Sequence, residues 1–173
     1  LIIADKSSGK TSFLHMVARA TEAMHDPADV QSGVITPHTD EWKHFQSSQS
    51  VVGVYSATED SARELLQSLV TWAHNNRDKK QTILLLIDDL ESVIKLGQES
   101  EQNLRWLLLR GPSRRVWPIV TLNASRARNM ETWLEFFRTR LFGATRDEDT
   151  SHFIASDPDK VFNNLTESQF TMR

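Results

Sequence analysis

Residues 7–12 read Ser-Ser-Gly-Lys-Thr-Ser, between the apolar run Leu1-Ile2-Ile3-Ala4 and a stretch, residues 11–24, that carries Phe13, Leu14, Val17 and Ala18 at helical spacing. A strand, a tight polar turn and a helix form the context that a phosphate-binding loop requires. In the pattern GxxxxGK[ST], backbone N–H groups wrap phosphate oxygens, a lysine neutralises their charge and a hydroxyl ligates magnesium at a helix N-terminus. Gly9, Lys10 and Thr11 fill the last three positions, flanked by Ser8 and Ser12, and Ala4 stands at the first, where the pattern has glycine. A methyl group there is tolerated unless the backbone needs a positive φ. The loop predicts ATP and Mg2+ as ligands, held by Ser8, Gly9, Lys10, Thr11 and Ser12, with Thr11 on the metal.

Taken alone, Gly-Lys-Thr is a weak signal, because it also arises by chance. The second signal is TILLLIDDL, residues 82–90. It is a continuous apolar run of the kind a central parallel strand shows when both faces are covered, and it ends in two carboxylates. Asp88 is placed to hold magnesium through water and Asp89 to polarise the attacking water. Asp89 is one methylene shorter than the glutamate that many motor ATPases carry there, which predicts slower hydrolysis. Glu91 is read as an ordinary solvent-exposed residue.

Outward from these two motifs, strand-like and helix-like segments alternate. SVVGVYS, residues 50–56, is rich in β-formers. Residues 58–77 then place Ala62, Leu65, Leu66, Leu69, Val70 and Ala73 on one stripe, with Thr58 as N-cap and Glu59 and Asp60 in the first turn. A helix is expected over residues 101–109, a strand over 117–123, a helix marked by Met130, Trp133, Leu134 and Phe137, and a last strand over 140–144. Residues 25–50, with Pro27, Pro37, three histidines and QSSQS, are read as a variable, exposed insertion, with a short strand at 33–36. The alternation implies a doubly wound α/β domain with a parallel sheet flanked by helices.

Composition narrows the classes. The 173 residues, 39% hydrophobic and 25% charged, predict a single soluble domain. A formal net charge of -3 gives no global basic signature, so nucleic-acid contact would need a local patch or several copies of the chain. With no cysteine, disulfides and thiolate metal sites are excluded, and a reducing cytosol is compatible. The six histidines, His15, His25, His38, His44, His74 and His152, lack zinc-ligand spacing. No run approaches the roughly 20 apolar residues of a membrane span. Trp106, Trp117 and Trp133 are read as core or interface residues. Arg105, Arg110, Arg114, Arg115, Arg126 and Arg128 form the one local basic concentration. The chain starts inside a strand without Met, which suggests a module of a larger protein.

LLLIDDLESV, then LRWLLLRGPSRRVWPIVTLNASRA, then FRTRLFGATRDEDTSHFI resemble the consecutive core motifs of the FtsK/SpoIIIE/HerA group of P-loop motor ATPases, EccC-type modules of type VII secretion included. The resemblance implies a RecA-like P-loop NTPase, a three-layer α/β/α domain. It places Asn123 as γ-phosphate sensor and Asp89 at the catalytic acid position. Arg114 or Arg115, and less securely Arg140 or Arg146, become trans-acting arginines on a neighbouring subunit's nucleotide, a role that needs an oligomer. It further implies a homo-oligomeric ring, a hexamer being one form of it, or neighbouring modules of the same chain as partners. DNA or a secreted protein is then the translocated substrate, in the cytoplasm, with any membrane contact made by parts outside this chain. The family's loop is glycine-richer, GxxGSGK[ST], and Ala4 and Ser7 replace two of its glycines. The alternative is therefore a degenerate module that binds nucleotide for assembly or partner binding without turnover.

Overall fold

The computed structural model describes residues 1–76, 80–157, 162–166 and 168–172. Two compact units emerge: Leu1–Phe13 with Thr121–Arg173, and Leu14–Val120. Among the described residues, the strands of the Leu14–Val120 unit run in the order β3-β2-β4-β5 and those of the other unit β5-β1-β6-β7, where β1 is Ile2–Ala4, β2 Val30–Thr36, β3 Val51–Ser56, β4 Thr82–Ile87, β5 Val116–Asn123, β6 Leu141–Phe142 and β7 Thr171–Met172. Every pairing is parallel except β6 with β7.

In the Leu14–Val120 unit, β4 pairs with β2 through Ile87↔Ile35 and with β5 through Ile87↔Val120. Leu85, Leu86 and Ile87 are buried, as a strand flanked on both edges and covered on both faces must be. Alternation along β2 separates its two faces. Val30 lines a groove with Met16, Val17 and Met24 of helix α1 (Lys10–Met24). On the opposite face, Gly33 has Leu65 of helix α2 (Asp60–Asn75) as its neighbour. Helices on both faces of β2 give the three-layer arrangement expected from the alternating pattern. Ala62, Leu65, Leu66, Leu69 and Ala73 of α2 are buried, so the stripe read from sequence is the core face. The N-cap position falls on Glu59, one residue later than expected, and makes no side-chain cap bond. Arg77, the last residue of the stretch assigned to this helix from sequence, lies outside the described residues.

The expected exposed insertion over 25–50 is corrected by the structure. Residues 33–36 of β2 are all buried, and the 3-10 turn Thr39–Phe45 buries Trp42 and Phe45. The region contributes a sheet strand and an aromatic anchor. Of the two roles read for Trp117, core or interface, the structure removes the first: it is 51% exposed and, with Met16 and Met24, borders an open apolar groove of about 410 Å3. Trp133 is buried, as expected.

In the other unit, β1 pairs with Thr121–Asn123 of β5 on one side and with β6 on the other. The expected strand over 140–144 contracts to Leu141–Phe142, and the expected helix around Met130–Phe137 to a 3-10 stretch, Ala124–Met130, followed by one turn, α5 (Glu131–Leu134). Between them, Arg140 donates to the carbonyls of Leu134 (2.8 Å) and Phe137 (3.3 Å), closing the end of that turn. Asp147 caps a further short helix, Glu148–Ala155, by accepting from the Thr150 N–H at 2.8 Å.

Candidate nucleotide-binding site

The loop leaves β1 at Ala4 and enters α1 at Lys10. Ala4 ends the strand, fully buried, and is absent from the left-handed residues of the chain, so its methyl strains nothing. Its neighbour across the sheet explains the fit. A Cβ on Gly143 would come within 2.9 Å of the Ala4 Cβ, so glycine at 143 leaves room for alanine at 4. The backbone condition that mattered falls on Ser7, with φ 62°, and on Gly9, with φ 82°. Gly9 takes this conformation without penalty, and Ser7 does not.

Several bonds hold the loop in place. Asp5 N–H donates to the Ala144 carbonyl at 2.9 Å, and its Oδ2 accepts from the Arg146 N–H at 2.9 Å. The Ser8 hydroxyl reaches the Ala144 carbonyl at 3.4 Å. Lys10 Nζ lies 3.0 Å from the Ala4 carbonyl and 2.6 Å from that of Asp5, so the ammonium is drawn over the loop's own backbone. Thr11 is half-buried on the first turn of α1 and Ser12 is exposed. Asn123 is the Cα partner of Ala4, which sets it at the end of the strand beside the loop-bearing one. Its side-chain oxygen accepts from Ser125 N–H (3.2 Å) and Oγ (3.1 Å), capping the 3-10 stretch that follows.

In the other unit, Asp88 follows β4, 6% exposed, its N–H bonded to the Ile35 carbonyl at 2.8 Å. Asp89 caps the helix that follows. It sits at φ 83° as N-cap of helix α3 (Leu90–Ile94), accepting from the Glu91 N–H at 3.3 Å and the Ser92 hydroxyl at 2.7 Å. Glu91 pairs with Lys95 at 3.0 Å and its side chain is 21% exposed, so the solvent-exposed reading is corrected to a half-buried one.

Arg114 and Arg115 precede β5, with Arg115 left-handed at φ 64°. The register Ile83↔Val116 aligns the start of β5 with the start of β4. Asp88 is at the other end of β4, about 15–20 Å away at strand rise. Arg114 and Arg115 therefore stand at the far end of the paired strands from Asp88. Elsewhere in the basic cluster, Arg105 pairs with Glu101 at 2.8 Å, and the Arg128 guanidinium lies 4.9 Å from the centre of the Phe153 ring.

Sequence reasoning missed His15. It projects one turn beyond Thr11, packed edge-on against Trp42 (4.3 Å between ring centres) and 5.2 Å from the His44 ring. Its Nε2 is buried without a hydrogen-bond partner among the described residues. Burial, then the nearby charge of His44 and, more weakly, Arg19, lower its pKa from 6.5, while Asp88 and Glu41 oppose the shift. The only sequence signal was its i+4 spacing from Thr11.

Each unit carries an oxygen donor of the hard kind that magnesium takes beside water and phosphate, the Thr11 hydroxyl in one and the Asp88 carboxylate in the other. The left-handed Gly9 backbone ahead of Lys10 suits a phosphate. Among the described residues, no group of three or more His, Asp or Glu side chains forms a separate metal site.

These features define a P-loop NTPase fold of the RecA-like kind. No protein-family model and no curated protein matches the sequence. Among solved structures, the chain is similar to EccC (ATPases 2 and 3) of Thermomonospora curvata in complex with a signal sequence peptide, with a TM-score of 0.72 at 15% identity over 86% of this chain. EssC (ATPases 2 and 3) of Geobacillus thermodenitrificans gives a TM-score of 0.75 at 11% identity over 99%. The pCW3 conjugation coupling protein TcpA, in a monomer form with ATPγS, gives 0.74 at 13% identity over 100%. The likeness is one of fold, and at that level the resemblance read from the sequence is borne out. The chain spans only 30%, 36% and 56% of these three chains respectively.

Proposed function

We propose that this chain is an ATP-binding module of an FtsK/SpoIIIE-like ring ATPase, working in the cytoplasm and coupling ATP hydrolysis to translocation of DNA or protein. The observation that carries the reading is the Gly9-Lys10 turn between a buried parallel strand and a helix N-terminus, with Gly9 left-handed and the lysine ammonium over the loop.

Ser8, Gly9 and Ser12 present backbone N–H groups to phosphate oxygens, and Lys10 exchanges its carbonyl partners for phosphate charge. The Thr11 hydroxyl and the Asp88 carboxylate would hold Mg2+, which would neutralise charge developing on the phosphates. Asp89 orients the attacking water, Asn123 contacts the γ-phosphate, and Arg114 or Arg115 of a neighbouring copy stabilises the transferring group. Arg140 is the weakest candidate for that last role, since acting in trans would cost it both carbonyl bonds.

One observation favours the second reading, a module that binds nucleotide without turning it over. The carboxylate assigned to water activation is engaged as a helix cap. Phosphate release measured against protein concentration separates the two. Turnover per chain that rises with concentration supports the ring with trans arginines. Saturable ATP binding with no turnover at any concentration supports the assembly module.

A further inference from the structure

Residues 168–172 do not belong to any part of the nucleotide reading, yet they lie on the phosphate-binding loop. The Ser168 N–H points to the Ser8 carbonyl at 3.4 Å. A Cβ built on Gly9 would fall 2.5 Å from the Ser168 Oγ and 3.0 Å from its Cα, so the space beside the glycine backbone is filled by this serine. Two residues on, the Phe170 ring packs edge-on against Phe13 of α1, with centres 5.4 Å apart. Its Cε1 is 2.8 Å from where a Cβ on Gly143 would stand. Thr171 and Met172 then pair antiparallel with Phe142 and Leu141.

Two glycines therefore open the room that this segment takes, and one of them is the glycine of the phosphate motif. Glycine in such a loop allows close approach of the backbone to a ligand. Here the atoms that approach are those of Ser168, with its hydroxyl foremost. Among the described residues, the hold is weak in kind: a two-residue strand whose residues are both exposed, a long hydrogen bond to Ser8, an aromatic edge contact and a left-handed serine at φ 64°. Elements with few buried contacts open at small free-energy cost, and a ligand that prefers the open form shifts the balance.

We propose that residues 168–172 form an autoinhibitory strap, docked on the loop in the absence of nucleotide and released when a nucleoside triphosphate occupies it. The proposal rests on the reading of the loop as a phosphate site. It assigns Ser168 the place beside Gly9 that a phosphate must take, Phe170 the anchor on Phe13, and β7 the tether.

The test is ATP binding with Mg2+, followed by calorimetry, on wild type and Phe170→Ala, with hydrogen exchange of residues 169–172 in the wild-type protein. A strap docked in most molecules lowers apparent affinity by the fraction left open, so Phe170→Ala is expected to bind ATP about three- to tenfold more tightly. Exchange at 169–172 is expected to quicken on saturation with ATP. Unchanged or weaker affinity in Phe170→Ala, or exchange that slows with ATP, overturns the strap and leaves the loop reading standing. If neither protein binds ATP, the loop reading fails and the strap with it.

Discussion

Ser7 and Asp89 both hold left-handed backbone, at φ 62° and 83°, on the two segments that carry the nucleotide motifs. An L-residue there loses about 1–2 kcal/mol to the clash between Cβ and carbonyl. Ser7→Gly relieves that clash and gives some of the gain back through a more flexible unfolded chain. The expected result is a rise in unfolding free energy of about 0.5–1 kcal/mol with an unchanged m-value, read from urea denaturation. Asp89 is a cap as well as a candidate catalyst, and substitution separates these roles. Asparagine caps as well as aspartate and accepts left-handed backbone, so Asp89→Asn should keep wild-type stability, while Asp89→Ala loses about 1 kcal/mol. On the motor reading, Asp89→Asn also stops phosphate release and leaves ATP binding intact. Turnover equal to wild type would show that this carboxylate does not activate water. The Gly-Lys-Thr signal was legible because its chemistry is local to consecutive residues. Ser168 against Gly9 was not, since no spacing in the sequence relates two residues brought together only by β7 and the turns before it.

At the scale of elements, the strongly periodic segments were the legible ones. The β4 run is apolar because both its faces are covered, and α2 shows its stripe because only one of its faces is. β2 was largely hidden among prolines and polar residues. Its buried positions include Ser32, Gly33 and Thr36, so a central strand does not read as an apolar run. The turn at Thr39–Phe45 is held by the packing of Trp42 and Phe45 on His15, a contact made by tertiary structure alone. That packing has a pH signature. His15 is harder to protonate in the folded chain than in the unfolded one, so the unfolded state binds more protons below about pH 6.5. The stability this histidine contributes is present above that pH and is lost as pH falls from 6.5 toward the depressed folded value. Thermal unfolding between pH 7.5 and 5 should show a midpoint that falls more steeply in wild type than in His15→Gln. Parallel profiles would show that the neutral imidazole is not what the aromatic cluster selects.

For the whole molecule, strand order and helix placement follow the α/β alternation of the sequence, and the neighbours found by fold are ATPase modules within longer chains. Among the described residues, no helix is long and apolar enough to cross a membrane. Arg114 and Arg115 were singled out as trans-acting residues only through the family resemblance. They stand at the start of β5, at the far end of the paired strands from Asp88. All of these roles depend on one claim, that the loop at residues 4–11 binds nucleotide through Lys10. The direct measurement is calorimetric titration of ATP with Mg2+ into wild type and Lys10→Ala. Loss of charge-assisted hydrogen bonds of about 1.5–3 kcal/mol predicts saturable binding by wild type and affinity weaker by about ten- to a hundredfold in the variant. Equal affinity in the two proteins, or no binding by wild type, would contradict the account.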